Sequence, residues 1–250
     1  MVLKDLHVHT NYCDGKDKPE DIVLAAIDMG MKTLGFSGHG YTYFDESYCM
    51  SKEGTEEYKK EIASLKEKYS DQIEILCGVE RDMYTTEDTS SFDYVIGSLH
   101  YILVDGEYIP VDWKYEIIKD AADKYFGGDM TALAVYYLDA VSEVAERTKC
   151  TIVGHFDLIT KFNENEQTID VTNPRYISAY KKAIDRIMES CKLFEINTGA
   201  ISRGYRSSPY PSPEIIEYIK NKGGEFILSS DAHTKEGLCY AFDKYESLLL

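Results

Sequence analysis

Thr33 to Gly40 reads TLGFSGHG: an apolar run over Thr33 to Ser37, then a histidine held between two glycines. A short apolar strand that stops on a polar, glycine-flanked residue is the grammar of a βα unit in a parallel sheet, and the same grammar recurs in both directions from it. Upstream, Val2 to Val8 reads as a strand carrying His7 and His9, and Pro19 opens a helix through Met29, with Pro at the first helical position and Gly30 at the C-cap. Downstream, after a polar and aromatic loop at 41–52, the charged helix Thr55 to Tyr69 presents Ile62, Leu65 and Tyr69 on one face. Strand Ile73 to Val79 then ends at Glu80, Tyr94 to Leu99 ends at His100, and Thr151 to Val153 ends at Gly154-His155. Two helices are expected within Glu116 to Lys149, separated by the Gly127-Gly128-Asp129 turn. The last third repeats the pattern: helix Pro174 to Ser190, strand Leu193 to Ile196, helix Pro213 to Lys222, and strand Glu225 to Leu228 running into Ser230-Asp231-Ala232-His233. About seven βα units without an interrupting linker predict one α/β domain over residues 1–250, a (β/α) barrel one unit short of the usual eight. Leu248-Leu249-Leu250 reads as an uncapped helix, compatible with a further segment or with a helix ending on an apolar face.

The 250 residues are 44% hydrophobic, enough for a real core, and carry a formal net charge of -17 with a pI near 4.7. That charge argues against a nucleic-acid partner, which would need many Lys and Arg contacts to phosphates, but leaves room for a local basic pocket for one small anion. Most of the carboxylates are accounted for by a solvated acidic surface. Six cysteines are scattered with no C-x-x-C pair, and read as free thiols of a reducing cytosol. The N-terminal MVLKDLHVHT is too short and polar for a signal peptide, and no apolar run approaches a membrane span. The expectation is a cytoplasmic protein; the sequence points to no membrane or protein partner.

The chemistry lies at the strand ends. In His7-Val8-His9 the period-two alternation of a strand puts both imidazoles on one face, where they can reach one ion. Alone this is a weak signal, since a single histidine is more often a hydrogen-bonded core or loop residue than a ligand. What changes the balance is that His39, Glu80, His100, His155, Asp231 and His233 also fall at or after predicted strand ends, so all six histidines of the chain gather on the face where parallel barrels assemble catalytic groups. Burying so many imidazoles and carboxylates together without compensation would cost several kcal/mol per unpaired charge, about what metal coordination offsets. Imidazole with carboxylate suits zinc, iron or manganese better than magnesium or calcium. With Asp14 the candidate ligands number nine, too many for one ion, so two or three divalent ions are expected, with Glu80 placed to bridge.

The segments HVHTNYCDG, SGHG, GVE, GSLHY, GHFDLI, FEINTGAISRGYR with PYPSPE, and SSDAH together resemble the polymerase and histidinol phosphatase (PHP) superfamily, most of all its stand-alone histidinol-phosphate phosphatases, over nearly the whole chain. The resemblance implies a distorted (β/α)7 barrel with a trinuclear site at the C-terminal ends of the strands. It implies that His7, His9, Glu80 and Asp231 hold a first ion, that Glu80, His100 and His155 hold a second with Glu80 bridging, and that His39, His233 and Asp14 hold a third. Asp14 departs from the commoner family pattern, which has histidine there; a hard carboxylate favours manganese or iron over zinc, or a weakly held third ion.

Clustered dications acidify a bridging water and neutralise charge on phosphoryl oxygens, so the expected reaction is phosphomonoester hydrolysis by a metal-bridging hydroxide rather than by any side chain. Asp231 and Asp157, with Tyr101 behind them, are the candidates for handling the leaving-group proton. The loop Asn197 to Arg206 follows a strand and carries two arginines. An arginine fork reads phosphate oxygens bidentately, so Arg203 or Arg206 would supply the anion clamp, against the plainer reading of two solvated loop arginines; the resemblance implies that this loop binds the substrate phosphate, with Arg203 first and Arg206 second. The loop at 41–52, with Asp45 and Glu46 among aromatics, offers either an ammonium and imidazole subsite or a lid packed by its own tyrosines. Three functions follow: hydrolysis of L-histidinol phosphate in histidine biosynthesis; a phosphoesterase acting on phosphotyrosine protein or a nucleotide; or a non-catalytic metal-binding barrel, which would predict gaps in a ligand set that has none.

Overall fold

The computed structural model describes residues 3–249; Val2, at the start of the first predicted strand, and Leu250 lie outside them. Nine strands are formed among these residues: β1 Lys4–Asp5, β2 Thr33–Phe36, β3 Glu74–Asp82, β4 Tyr94–Ser98, β5 Tyr101–Val104, β6 Glu107–Pro110, β7 Ile152–Val153, β8 Leu193–Asn197 and β9 Glu225–Ser229. The helices are α1 Pro19–Asp28, α2 Lys52–Lys68, α3 Tyr115–Phe126, α4 Met130–Val141, α5 Val144–Thr148, α6 Asn163–Glu166, α7 Pro174–Ile187, α8 Gly199–Ser202, α9 Pro213–Asn221 and α10 Phe242–Tyr245. Seven strands pair in parallel in the order β1-β2-β3-β4-β7-β8-β9. The sheet curls into a distorted (β/α)7 barrel whose seam is a single parallel bridge, Val8 to Ala232, with His9 N–H donating to Ala232 O at 2.8 Å and Ala232 N–H to His7 O at 3.1 Å.

Among the described residues no β1–β9 ladder closes that seam, and a buried carboxylate reinforces it. Asp5, fully buried, accepts from the N–H of His7 (3.3 Å), Ser230 (3.1 Å) and Cys239 (3.1 Å), tying the first strand to the last. Below the site a small cluster of Leu6, Tyr94, Ile96 and Ile152 fills the interior, and the Tyr94 hydroxyl donates to Leu6 O (2.6 Å) and Phe36 O (2.9 Å). Gly35 and Gly78 make room for this phenol: a Cβ at either would stand 2.4 or 2.3 Å from Tyr94 atoms, closer than any side chain tolerates. The larger core lies between the sheet and its helices.

Several boundaries differ from the sequence reading. The first strand does not run to Val8: its ladder stops at Asp5. Leu6 packs on Tyr94 while His7 reaches Glu80, so successive side chains both serve the interior and the alternation breaks between them. β3 continues through Glu80 to Asp82, which puts two carboxylates inside the barrel instead of one past its rim. α2 starts at Lys52, because Ser51 caps it by accepting from Gly54 N–H at 2.9 Å, so the loop before it is shorter than 41–52. The segment before the expected helix pair holds an antiparallel hairpin, β5–β6, turned by Asp105-Gly106 with both residues at positive φ (49° and 86°). The pair itself is three helices, broken again between Val141 and Val144. The C-terminal helical reading becomes α10 and a 3₁₀ turn over Glu246–Leu249 packed on β9. No described helix is long and apolar enough to cross a membrane, and all six cysteines are free.

Candidate metal and phosphate site

Glu80, nearly fully buried on β3, is the hub. Its Oε2 lies 3.1 Å from His7 Nε2, 3.5 Å from His9 Nε2 and 3.1 Å from His39 Nδ1; its Oε1 lies 3.2 Å from His100 Nε2 and 2.8 Å from His155 Nε2, and accepts from Ser98 Oγ at 2.6 Å. One carboxylate therefore faces histidines from the ends of β2, β4 and β7 and from the segment after β1. Asp231 completes the His7–His9 group, with Oδ1 3.7 Å from His7 Nε2 and 3.2 Å from His9 Nε2. At the rim Asp14 lies 3.2 Å from His233 Nε2, 3.7 Å from His39 Nε2 and 3.6 Å from His9 Nδ1. Three overlapping groups thus have ligand atoms within 4.8 Å of one another: His9, Asp14, His39 and His233; His7, His9 and Glu80; His39, Glu80 and His100. His39 stands between Glu80 and Asp14 and belongs to two of them.

The ring nitrogens fit divalent ions. His7 Nε2 and His9 Nε2 are buried, converge on two carboxylates and have no hydrogen-bond partner; an orphaned nitrogen at that depth costs free energy unless something takes its lone pair. The opposite nitrogen of His7 is held from behind by a carboxylate, whereas His9 Nδ1 meets Cys13 Sγ at 3.6 Å. Glu195 Oε2 sits 2.8 Å from His7 Nδ1, while its Oε1 accepts from His155 N–H (2.6 Å) and Asn197 Nδ2 (2.8 Å). Asp82 Oδ2 accepts from His100 N–H at 3.0 Å. On His7 the Glu195 contact fixes tautomer and ring orientation, the usual task of a carboxylate behind a metal-binding histidine; at His155 and His100 the carboxylates hold the backbone.

The electrostatics separate two histidines that the H-x-H spacing makes look alike. Burial opposes charge on His7, but Glu195, Glu80 and Asp231 outweigh it and hold its pKa well above the usual value. His9 is pushed down to about 3 by burial and by its neighbours His233, stacked at 4.1 Å, and His39, at 4.4 Å. Against their own burial, Glu80 is held far below the ordinary carboxylate range by His7, His39 and His100, and Asp231 by Arg203 and His7.

Asp231 has a left-handed backbone, φ 51°, uncommon outside glycine. The turn lets Arg203 grip it twice, Nη1 donating to its carbonyl oxygen and Nη2 to Oδ2, both at 3.0 Å. Gly199 is needed for this approach: a Cβ there would lie 2.8 Å from Asp231 Cβ and Oδ2 and 3.0 Å from Arg203 Nη2. Arg203 lines the cavity of about 400 Å³ above the histidines together with Asp14, His39, Glu80, His100, His155, Asp231 and His233.

Two predicted residues are elsewhere. Arg206 is buried behind the wall, donating to Thr160, Ser208 and the Pro209 carbonyl and stacking 4.3 Å from the Tyr210 ring; it reaches no cavity occupant. Asp157 is fully buried beside it, accepting from Ser212 N–H at 3.1 Å, so it faces away from the cavity although only one residue separates it from His155. Both serve to pin loops. In the shortened aromatic loop, Asp45 and Tyr48 line the cavity, but Asp45 is already bound by Tyr101 Oη (2.7 Å) and by Ser47, and Glu46 by Tyr41. Phe44 stacks on Tyr108 of the hairpin at 3.8 Å, so the loop is packed against the hairpin through its aromatics. Sequence reasoning missed Glu195, Asp82, Asp112 and Lys161. Asp82 and Glu195 were readable as inward strand positions, Asp82 two residues from Glu80; Asp112 follows a hairpin that went unread.

The family model described as PHP domain matches residues 5–199. The chain belongs to the PHP family. Among PHP relatives, a Schizosaccharomyces pombe protein named "Probable histidinol-phosphatase" is 26% identical over 248 residues, 91% of this chain and 79% of that one. Bacillus subtilis histidinol-phosphatase is 23% identical, covering 98% of each. The crystal structure of histidinol phosphate phosphatase from Lactococcus lactis, complexed with zinc, L-histidinol and phosphate, superposes with a TM-score of 0.74 at 21% identity, covering 99% of this chain and 92% of that one; it shows the same fold.

Proposed function

We propose that this protein hydrolyses L-histidinol phosphate to L-histidinol and phosphate, as a step of histidine biosynthesis, using two or three divalent ions of zinc, manganese or iron. The observation that carries the reading is Glu80, whose two oxygens are divided between separate histidine sets at the floor of a cavity with an arginine fork in its wall. The names of the full-length relatives supply the substrate.

In this reading His7, His9, Glu80 and Asp231 hold one ion, Glu80, His100 and His155 a second, and Asp14, His39 and His233 a third. Bound dications supply an acidified water and charge neutralisation for the phosphoryl group. The chain's own residues do the rest. Arg203, fixed on Asp231, directs its guanidinium toward phosphate oxygens in an otherwise acidic protein. The aromatic loop and the hairpin restrict water around the ester. With Asp157 outside the cavity, Asp231 and Tyr101 are the groups left for proton handling. Asp231 is held ionised by Arg203 and His7, while burial and Asp45 keep the Tyr101 phenol protonated.

The test compares kcat/KM for L-histidinol phosphate, a phosphotyrosyl peptide and a mononucleotide, each with added manganese or zinc. The expected outcome is a clear preference for the first and loss of all turnover in His9→Ala. Equal turnover of the three removes the substrate assignment, and no turnover of any phosphomonoester leaves a metal-binding barrel without this activity.

A further inference from the structure

A second cavity, of about 310 Å³, lies between α7, α9 and the segment that follows β7, and it shares no lining residue with the metal cavity. Arg206 and Asp157 line it, and each commits only part of its hydrogen-bonding capacity to the protein. Arg206 donates from Nη1 to Thr160 Oγ1 and from Nη2 to Ser208 Oγ and the Pro209 carbonyl, while Asp157 Oδ2 accepts from Ser212 N–H. Arg206 Nε and Asp157 Oδ1 have no hydrogen-bond partner among the described residues, and the hydroxyl of Tyr176, on α7, is a third such group on the same cavity. All three residues are more than nine-tenths buried, with relative exposures of 8% for Arg206, 0% for Asp157 and 2% for Tyr176. Buried polar atoms are nearly always paired. A spare donor, a spare acceptor and a spare hydroxyl facing one cavity of small-ligand size are the complement of a polar molecule.

We propose that this cavity is a second binding site, for a small organic ammonium that carries a hydroxyl close to its nitrogen and an apolar side chain: an amino alcohol. The charge of the lining selects the cation. Arg206 is the single basic residue on the cavity, against Asp157 and two exposed carboxylates, Glu164 and Glu214. An ammonium donates to Asp157 Oδ1 in a charge-assisted hydrogen bond, and an uncharged oxygen next to it is enough to accept from Arg206 Nε–H, with the Tyr176 hydroxyl joining either group. An amino acid would also satisfy Nε, but its carboxylate would face three others. Ile177, Tyr180 and Ile215 give the carbon body an apolar wall. The assignment is independent of the substrate reading above. Its place in the fold is nonetheless close to the metal site: Arg206 shares a loop with Arg203, and Asp157 follows His155 by two residues, so an occupant ties together two segments that also line the metal cavity.

The experiment titrates the full-length, metal-loaded protein by calorimetry with L-leucinol, with 4-methylpentan-1-ol, which lacks only the amine, and with L-leucine. Wild type should bind L-leucinol saturably at one site and prefer it to the deaminated alcohol by about 10- to 100-fold, the range of one charge-assisted hydrogen bond; L-leucine should bind more weakly than L-leucinol. Tyr176→Phe removes the unpartnered oxygen and nothing else, so it should weaken L-leucinol about 2- to 10-fold, the range of one neutral hydrogen bond, while the Tm without ligand stays level or rises. Val171→Lys, at a position 44% exposed on the cavity, sets a cation at its mouth and should also weaken binding without a loss of Tm. No saturable binding of L-leucinol to wild type, equal binding of the alcohol or of L-leucine, or affinity unchanged in both variants overturns the assignment. So does a lower Tm in Tyr176→Phe with unchanged affinity, which would give the hydroxyl a role in packing instead.

Discussion

Replacing Glu195 with Gln leaves shape and volume almost unchanged and alters what the two central metal groups stand on. The native carboxylate accepts three hydrogen bonds, from His7 Nδ1, His155 N–H and Asn197 Nδ2, at 2.6 to 2.8 Å, with no donor of its own. A glutamine has one accepting oxygen and an NH₂. If the oxygen keeps His155 N–H and Asn197, the NH₂ points at His7 Nδ1, which must then give up its proton and turn the wrong tautomer toward the ion. If the oxygen keeps His7, two donors face the NH₂. Either way one or two charge-assisted bonds are lost, about 1.5–3 kcal/mol each, and the supporting charge that raises the His7 pKa goes with them. Metal affinity should fall about 10- to 100-fold, the range found when partners behind a metal ligand are removed. Glu195 supports His7 and, through the backbone of His155, the second histidine group, so under the proposed assignment metal binding at both groups should weaken. Asp82, which also accepts from Tyr84 N–H at 2.9 Å, touches only His100 among the candidate ligands, so Asp82→Asn should weaken one. Competition with a chromophoric chelator reads both constants without reference to turnover. Wild-type affinity in Glu195→Gln, or an Asp82→Asn profile indistinguishable from it, would refute this account of what lies behind the ligands.

Further outcomes follow from the same geometry. Gly199→Ala places a methyl 2.8 Å from the Asp231 side chain; thermal unfolding should show a loss of about 1–3 kcal/mol from overpacking, and activity should drop through displacement of Asp231 and Arg203. Arg203→Lys removes the fork that holds both the carbonyl and the carboxylate of Asp231; steady-state kinetics should show KM raised about tenfold, the scale of one ionic hydrogen bond, and an unchanged KM would remove Arg203 from the phosphate site. Without metal, the facing carboxylates raise the pKa of His7 and His100 against their burial, so both rings hold protons to higher pH than an ordinary imidazole. Metal must displace those protons, so affinity should climb as pH rises toward the raised values and level off above them. Calorimetry in two buffers of different ionisation enthalpy should register proton release, and buffer-independent heats would contradict it.

Much of this protein is legible in one dimension because a parallel barrel turns sequence order into spatial order. Each βα unit delivers its strand end to the same rim, so His39, Glu80, His100, His155, Asp231 and His233 share a site whatever the distances between them in the chain. The seven-unit count needed no more than that. Side-chain direction did need the tertiary structure. Asp157 and Arg206 sit in motifs that also contain site residues, yet each turns into the wall, because the fit of the loops to one another decides which side of the backbone faces the cavity. Glu195 lies inside β8 and Asp82 is the last residue of β3, and only the barrel's closure shows that they stand directly behind His7 and His100. Asp112 and Lys161, 49 positions apart in the chain, become a pair only when the hairpin and the segment after β7 meet at the cavity wall. Strand-end chemistry is a property of the chain; which carboxylates point inward, and at what, is settled only by how the units pack.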